Sequence, residues 1–379
     1  MNNIVYNRLL LVFILGILCA TLPTKAQDLQ DNKQKGAASA KPYKPSLYAV
    51  PLVFNTPETG WGFGLAGGYA FKLNKNDSLQ RPSNVLLNTD YTLNKQVIVD
   101  CGFTLFFKEE NYQLRLYNSY KKYPDSFWGI GNNTSSSAEE RYQYNRWDIF
   151  PTFQKRIHKR FFAGIRYRYM GMYRVDWNPN GAFAESNFPG HDGGNLSGAG
   201  VLLSWDSRNY VFNPTKGFYM HLLNINYPKF LGSDFGMTHL ELDGRFFLPV
   251  FPRKQHLIGF NVLGRFNFGD VPFFQMATLG GTDIMRGYFT GRYRDKNALS
   301  IQAEYRLPLF WRFGAAAFAG LGEVAPSLDK FSINGLKYSV GGGIRFMVSK
   351  RERINVRFDV GYAEGNQGPA FYITAAEAF

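Results

Sequence analysis

Hydrophobic and polar residues alternate along most of the chain after residue 46. In residues 297–307 every second position is apolar, and the positions between are polar. The apolar set is Leu299, Ile301, Ala303, Tyr305 and Leu307, and the polar set is Ser300, Gln302, Glu304 and Arg306. Because successive side chains of a β-strand point to opposite faces, this pattern predicts a strand with one apolar and one polar face. Residues 161–169 and 353–362 repeat the pattern.

The alternating segments are longer than the strands of most soluble proteins, since β-sandwich strands usually have about five or six residues. Most run over about ten to fourteen residues, enough to cross a bilayer at a tilt. They are 47–55, 60–73, 83–95, 96–108, 110–123, 141–155, 160–174, 195–206, 216–228, 235–249, 256–269, 297–308, 311–324, 336–348, 353–363 and 370–379. We therefore predict an all-β fold, a transmembrane antiparallel β-barrel of about 16 strands.

The connections between these segments fall into two classes. If the first strand starts in the periplasm, the long connections lie outside the cell and the short ones lie in the periplasm. The long ones are 124–140, 175–194, 270–296 and 325–335, and the short ones are 108–110, 156–159, 308–311 and 349–352. This asymmetry is typical of outer-membrane barrels.

The N-terminus resembles an export signal. Arg8 precedes an apolar run, and Ala26 offers a cleavage point, so we predict a signal peptide over 1–26, a short flexible periplasmic lead-in over 27–46 and the barrel over 47–379. Lipid attachment at Cys19 is the alternative, which the large Leu18 before it disfavours. Removing the signal leaves Cys101 as a lone thiol and excludes an internal disulfide.

The chain is basic, with a formal net charge of +14. An exported protein has little access to nucleic acid, so we expect no nucleic-acid partner and take anionic outer-membrane lipids as the partner of this charge. The predicted location is the outer membrane of a Gram-negative cell.

Three stretches carry a family resemblance. The first is "LGGTDIMRGYF" (279–289) in the longest predicted external loop, and the second is "WDSRNYVFNPTKGFY" (205–219) at a predicted periplasmic turn. The third is the final block, with "LSIQAEYRLPLF", "GGGIRF" and "INVRFDVGYAEG". Together they resemble the outer-membrane assembly-factor superfamily, the barrel of the BamA and TamA insertases, two-partner-secretion transporters and bacterial surface antigens. The resemblance is sharpest from residue 205 onward.

The resemblance implies that the external loop folds into the lumen and that its arginine pairs with an acid on the inner wall. Carried over, the loop motif is Arg286, Gly287 and Tyr288, and the acid is Glu304. Asp359 is a second candidate partner, because it has inward parity in residues 353–362. A buried arginine would need such a partner, and glycine would allow close approach of the backbone. The alternative is a solvated loop arginine.

The second stretch matches the periplasmic-turn motif of the superfamily at four positions. These are Asp206, Arg208, Pro214 and Gly217. Proline and glycine are typical turn residues, so forming the turn is their expected main role.

The barrel must close where the first and last strands meet. Pro51 cannot donate to the ladder in the first strand, and Glu377 has outward parity in the last. Weak pairing there fits either a lateral gate or an ordinary imperfect edge. Phe371, Ile373 and the final Phe379 resemble the C-terminal signal by which such barrels are recognised, from which Glu377 departs.

Catalytic chemistry is not indicated by the sequence. The five histidines lack nearby catalytic partners, and no phosphate loop, zinc spacing or paired carboxylates occur, so we predict no enzyme activity, metal or cofactor. The predicted lead-in of 20 residues is too short for the periplasmic POTRA modules of the superfamily, so we expect no client capture by such modules unless another chain supplies them. Client or periplasmic proteins are therefore candidate partners, and a homo-oligomer stays open.

These features predict an insertion or translocation factor with a loop-plugged lumen and a gate between the first and last strands. The alternative is a passive channel or structural barrel without insertase activity, in which the loop only narrows the pore.

Overall fold

The computed structural model describes residues 44–74, 82–108, 110–210, 213–251, 255–350, 353–365 and 368–379. The predicted signal peptide and nearly all of the predicted lead-in lie outside these ranges. Within them, no helix is long and apolar enough to cross a membrane.

The strands are β1 Ser46–Thr56, β2 Gly60–Phe71, β3 Ser83–Thr92, β4 Val97–Phe107, β5 Tyr112–Phe127, β6 Glu140–His158, β7 Phe161–Trp177, β8 Gly194–Asp206, β9 Gly217–Tyr227, β10 Met237–Phe251, β11 His256–Gly269, β12 Ala277–Leu279, β13 Tyr293–Asp295, β14 Asn297–Pro308, β15 Phe313–Ala325, β16 Lys337–Ser349, β17 Ile354–Ala363 and β18 Ala370–Ala375. Short 3-10 turns lie at Ser136–Ala138, Lys229–Leu231, Phe273–Gln275, Leu328–Lys330 and Ile333–Gly335.

Sixteen of these strands form one closed antiparallel barrel, which confirms the predicted fold. Neighbours in sequence are neighbours in the sheet, except that β11 pairs with β14 and that β1 and β18 close the barrel. Between those two strands, β12 and β13 form a separate two-stranded hairpin within the long loop 270–296.

The alternation in sequence corresponds to the two faces of the barrel wall. In β14, Leu299 and Ile301 are 43% and 47% exposed on the outside, whereas Gln302 and Glu304 are buried inside. Large apolar side chains are exposed in the same way on most other strands. Such a surface suits lipid, because soluble proteins rarely expose apolar patches of this extent.

Strands β5, β6 and β7 extend further at the predicted external end than the sequence pattern indicated. The extension carries paired aromatic residues, and Tyr142 stacks on Trp177 with ring centroids 4.6 Å apart. Phe127 of β5 packs on Phe273 of the long loop with centroids 5.8 Å apart. These contacts continue the ladder beyond the predicted span and hold the beginning of the loop.

The last strand is shorter than predicted. We expected it to cover 370–379, but β18 ends at Ala375, and Ala376 has a φ of +60° that turns the chain away from the sheet. Glu377 and Phe379 are buried inside, so the outward parity expected for Glu377 is wrong. The reason is the turn at Ala376, which breaks the two-residue period.

The seam between β1 and β18 has little backbone pairing. Every residue of β1 has a partner in β2, but among the residues that the structure describes its pairing with β18 is limited to Asn55 opposite Ile373. The periplasmic half of β1 overlaps the outside of the neighbouring strands instead. Leu52, on the inner face of β1, packs against Ala375 and Ile354, which have outward parity and are both 0% exposed.

Cys101 provides a test of which face is in lipid. It is a free thiol on the outer face of β4, so in vesicles we expect labelling by a membrane-soluble maleimide and protection from a charged one. The matched control is Ser119→Cys in a Cys101→Ser background, because Ser119 faces inward and its hydroxyl bonds to Asp100 at 2.6 Å. Preferential labelling of Cys101 by the charged reagent would contradict the lipid-facing assignment.

Candidate functional site

The candidate site lies where the long loop meets the inner wall. The β12–β13 hairpin forms a stem, and the loop tip (residues 280–292) lies between its strands. Residues with positive φ shape the tip, and Met285 and Gly287, on either side of Arg286, have φ values of +54° and +119°. Gln302 of β14 binds the tip backbone at two points, accepting from Met285 N at 3.1 Å and donating to Asp283 O at 3.0 Å.

Arg286 is the central residue of the tip and is 0% exposed. Its guanidinium donates to the carboxylate of Glu304 on β14 and, at 2.6 Å, to Oδ2 of Asp359 on β17. It also lies over the ring of Phe318 on β15, 3.5 Å from the centroid. Three strands of the wall therefore fix one side chain, because the donors of a guanidinium have a rigid planar geometry.

Gly287 and Tyr288 bring the tip backbone against the wall. Gly287 N donates to the Tyr372 hydroxyl of β18 at 2.8 Å, and the Tyr288 hydroxyl donates to Tyr338 O at 3.0 Å. A Cβ on Gly287 would lie 2.8 Å from the carbonyl carbon of Tyr362, which leaves no room for a side chain. The positive φ also favours glycine here.

Further arginines, which the sequence analysis did not assign to the site, bind the same carboxylates. Arg306 donates to Glu304 at 2.7 Å, and Arg345 donates to Asp359 at 2.5 Å. Arg345 also lies 3.5 Å from Glu304. Each acid of the wall therefore contacts several guanidinium groups.

The network extends to two more acids. Arg357 donates to Asp359 at 3.1 Å and to Asp283 of the loop tip at 2.9 Å. Glu377, from the chain end, accepts from Arg345 Nε at 2.9 Å. The two-residue period places Arg357 on the inner face. It does not predict which inward residues Arg357 meets, because the level of each residue along the barrel axis depends on the strand register.

The network is balanced in charge, with four arginines and four acids among the described residues. They are Arg286, Arg306, Arg345 and Arg357, and Asp283, Glu304, Asp359 and Glu377. Burial alone lowers the pKa of Arg286, but Glu304 and Asp359 outweigh it and raise this pKa. Burial raises the pKa of Asp283, and the nearby Arg357 opposes this rise. A buried charge is costly unless it is paired, so the members of the network depend on one another.

Gly320 of β15 lies on the inner wall beneath the loop tip. A Cβ there would lie 3.0 Å from the sulfur of Met285 and 3.2 Å from the Ser339 hydroxyl. The space is therefore filled by the methionine of the tip. The charge balance described above is reached without an acid at this position.

The second motif forms a turn between β8 and β9. The carboxylate of Asp206 accepts from Arg208 N at 3.1 Å and from its guanidinium at 2.9 Å, and Arg208 lies over the Tyr219 ring. Pro214 is buried, and Gly217 has a φ of +100°. Asp206 N also donates to Arg160 O of the β6–β7 turn at 3.0 Å. None of these contacts reaches the Arg286 network.

The predicted gate residues lie apart from one another. Pro51 is exposed in β1 opposite Leu65 of β2, and Phe371 is exposed on the outside of β18. Ile373 is the β18 residue that pairs with β1. Phe379 lies inside the barrel, with its ring centroid 6.1 Å from that of Phe247 on β10.

A cavity of about 270 Å³ remains beside the loop tip, against the wall formed by β5–β7, β10 and β11. Basic side chains outnumber acidic ones in its lining, among them Arg146, Arg166, Arg168 and Arg265. In the part of the chain that the structure describes, no group of three or more His, Cys, Asp or Glu side chains is arranged to hold a metal.

The family model described as "Omp85 superfamily domain" matches residues 59–375. No curated protein matches the chain.

Solved barrels share the fold at low sequence identity. BamA from Haemophilus ducreyi lacking POTRA domains 1–3 matches with a TM-score of 0.59 and 13% identity, over 88% of this chain and 70% of that one. CdiB from Escherichia coli matches with a TM-score of 0.60 and 10% identity, over 89% and 63%. CdiB from Acinetobacter baumannii matches with a TM-score of 0.55 and 10% identity, over 88% and 59%. The chain thus spans less than two thirds of either CdiB chain.

Removing one acid of the network should destabilise the barrel. We expect Asp359→Asn to lower the free energy of unfolding by about 3–5 kcal/mol, because Arg286, Arg345 and Arg357 lose a shared carboxylate in a buried setting. The measurement is loss of the heat-modifiable folded band in detergent as urea is raised.

Asp329→Asn is the matched control, because Asp329 pairs with Lys330 in an exposed loop. We expect no measurable change from it, since solvent screens such pairs. Equal effects of the two substitutions would contradict the importance of the buried network.

Proposed function

Because the chain belongs to the Omp85 superfamily, we propose that it is an insertion or translocation factor whose seam between β1 and β18 opens laterally. The chain is an Omp85-type outer-membrane barrel similar to insertion and translocation factors. Barrels of this superfamily act in assembly and transport and are not enzymes.

One observation carries the proposal of a gate. Among the described residues, β1 and β18 share one ladder pair, whereas β17 and β18 share six. Few backbone hydrogen bonds then resist separation of the first and last strands. The seam is the place where this barrel would open at the lowest cost.

The loop tip supports the proposal because it contacts both sides of the seam. Gly287 donates to Tyr372 on β18. Thr290 donates from its N and its hydroxyl, at 2.8 and 2.7 Å, to the carboxylate of Glu58 in the turn after β1. The tip would thus occlude part of the lumen and hold the seam closed, and Arg286 would lock it in place.

The protein is an outer-membrane protein of the Gram-negative type. We propose that residues 1–26 are its cleaved signal, 27–46 a periplasmic lead-in and 47–379 the barrel. Members of the superfamily work with partner or client proteins, and we propose clients or periplasmic proteins supplied by other chains, together with outer-membrane lipids, as the partners here.

A disulfide across the seam tests whether opening is required. Asn55→Cys with Ile373→Cys, in a Cys101→Ser background, joins the one β1–β18 ladder pair. We expect oxidation to abolish the accelerated folding of an unfolded eight-stranded barrel protein into vesicles that contain this protein, and reduction to restore it.

The matched control is Phe358→Cys with Ile373→Cys, which tethers β18 to β17 and leaves the seam free. It should retain full activity when oxidised. Indifference to the seam tether would rule out seam opening as the mechanism.

Conductance tests the loop tip as a plug and separates this proposal from a passive channel. We expect the unmodified protein to show small, rare openings in planar bilayers and Arg286→Gln to show larger and more frequent ones, because the tip loses its two carboxylate contacts. Arg208→Gln, outside the network, should leave the openings unchanged. A wide and steady pore in the unmodified protein would favour the passive channel.

A further inference from the structure

The last four residues of the chain leave the sheet at the seam. The register at Asn55 and Ile373, if continued, would place Ala376, Glu377, Ala378 and Phe379 opposite Leu52, Pro51, Val50 and Ala49. The turn at Ala376 prevents this pairing. We call residues 376–379 the tail.

The tail crosses the inside of the barrel and is bound at two places. The carboxylate of Glu377 accepts from Asn355 at 2.6 Å and from Arg345 at 2.9 Å. Phe379 packs on Phe247 of β10, and its carbonyl accepts from Arg306 at 3.0 Å. In the closed sheet, β14, β15, β16 and β17 separate β18 from β11 and β10, so the tail spans to another part of the wall.

While the tail turns into the barrel, β1 overlaps the outside of β17 and β18. Because the end of β18 turns inward, Leu52 of β1 packs over the outward side chains of Ala375 and Ile354. A fully paired seam would leave no space for this packing and would turn Ala375 and Ile354 toward lipid. The observed packing and a fully paired seam therefore exclude each other.

The chemistry of the tail decides between them. In the paired form, the two-residue period would turn Glu377 toward lipid beside Pro51, which has no N–H to donate. A carboxylate is unfavourable on the lipid face of a barrel. Pairing would also remove one acid from the buried network and leave Arg345 with one carboxylate fewer.

We propose that Glu377 determines how the seam closes. Its contacts with Arg345 and Asn355 hold the tail inside the barrel, and the periplasmic half of β1 then stays unpaired with β18. Glu377 is therefore a positioning residue that acts on β1 through the tail. This inference goes beyond the proposed function, because it concerns the resting seam and holds whether or not the barrel handles clients.

The test is a disulfide that forms in the paired closure alone. Ala49→Cys and Phe379→Cys, in a Cys101→Ser background, are opposite each other in the continued register, but the structure places Phe379 at the β10–β11 wall. In this background we expect little cross-link on oxidation. Adding Glu377→Ile should raise the cross-linking rate on the order of tenfold, since an apolar residue removes the cost of facing lipid.

Glu185→Ile, at an exposed glutamate in the β7–β8 loop, is the matched control and should leave the rate unchanged. Glu377→Gln keeps the shape of the side chain and removes its charge, so an intermediate rate is expected. This variant decides the question if the Glu377→Ile barrel does not fold, as judged by heat modifiability.

A second readout leaves Phe379 in place. Ala375→Cys, as the single cysteine, should be protected beneath β1 and should become reactive to a membrane-soluble maleimide when Glu377→Ile is added. Rapid cross-linking or labelling with Glu377 intact would overturn the proposal, as would rates that no substitution at Glu377 changes.

Discussion

The burial of the Arg286 guanidinium is the constraint on which the rest of this structure depends. A cation without solvent contact inside a barrel must be paired, and here it meets Glu304 and Asp359 from two different strands. Those two acids in turn hold Arg306, Arg345 and Arg357. The wall and the loop tip are therefore stabilised as one unit, because removing any member leaves its partners buried with one counter-charge fewer.

That unit lies next to the least paired part of the sheet. The loop tip contacts β18 through Gly287 and the β1–β2 turn through Thr290, while the tail returns to the same arginines through Glu377. Side-chain contacts inside the barrel thus take the place of ladder hydrogen bonds that the seam lacks. In the proposed opening of the seam, the remaining fifteen strand pairings of the barrel stay intact.

Much of the fold could be predicted from the sequence because a barrel wall imposes a strict two-residue period. The sixteen strands, the long loop 270–296 and the inward parity of Glu304, Arg306, Arg357 and Asp359 follow from it. Two features did not follow. The extended ladder of β5–β7 depends on aromatic packing with the loop, and the shortened β18 depends on arginines from β14 and β16 that attract Glu377.

The sequence by itself determined which residues face lipid and which face the lumen, since that choice depends on position along one strand. It did not determine which inward residues meet, because the levels of Arg345, Asp359 and Glu304 are set by the register between strands far apart in the chain. It also predicted that the last strand continues to residue 379, whereas the tail turns into the barrel. Only the tertiary structure brings Arg306 and Arg345 together inside the barrel. Pairing with them is more favourable for the carboxylate of Glu377 than facing lipid would be.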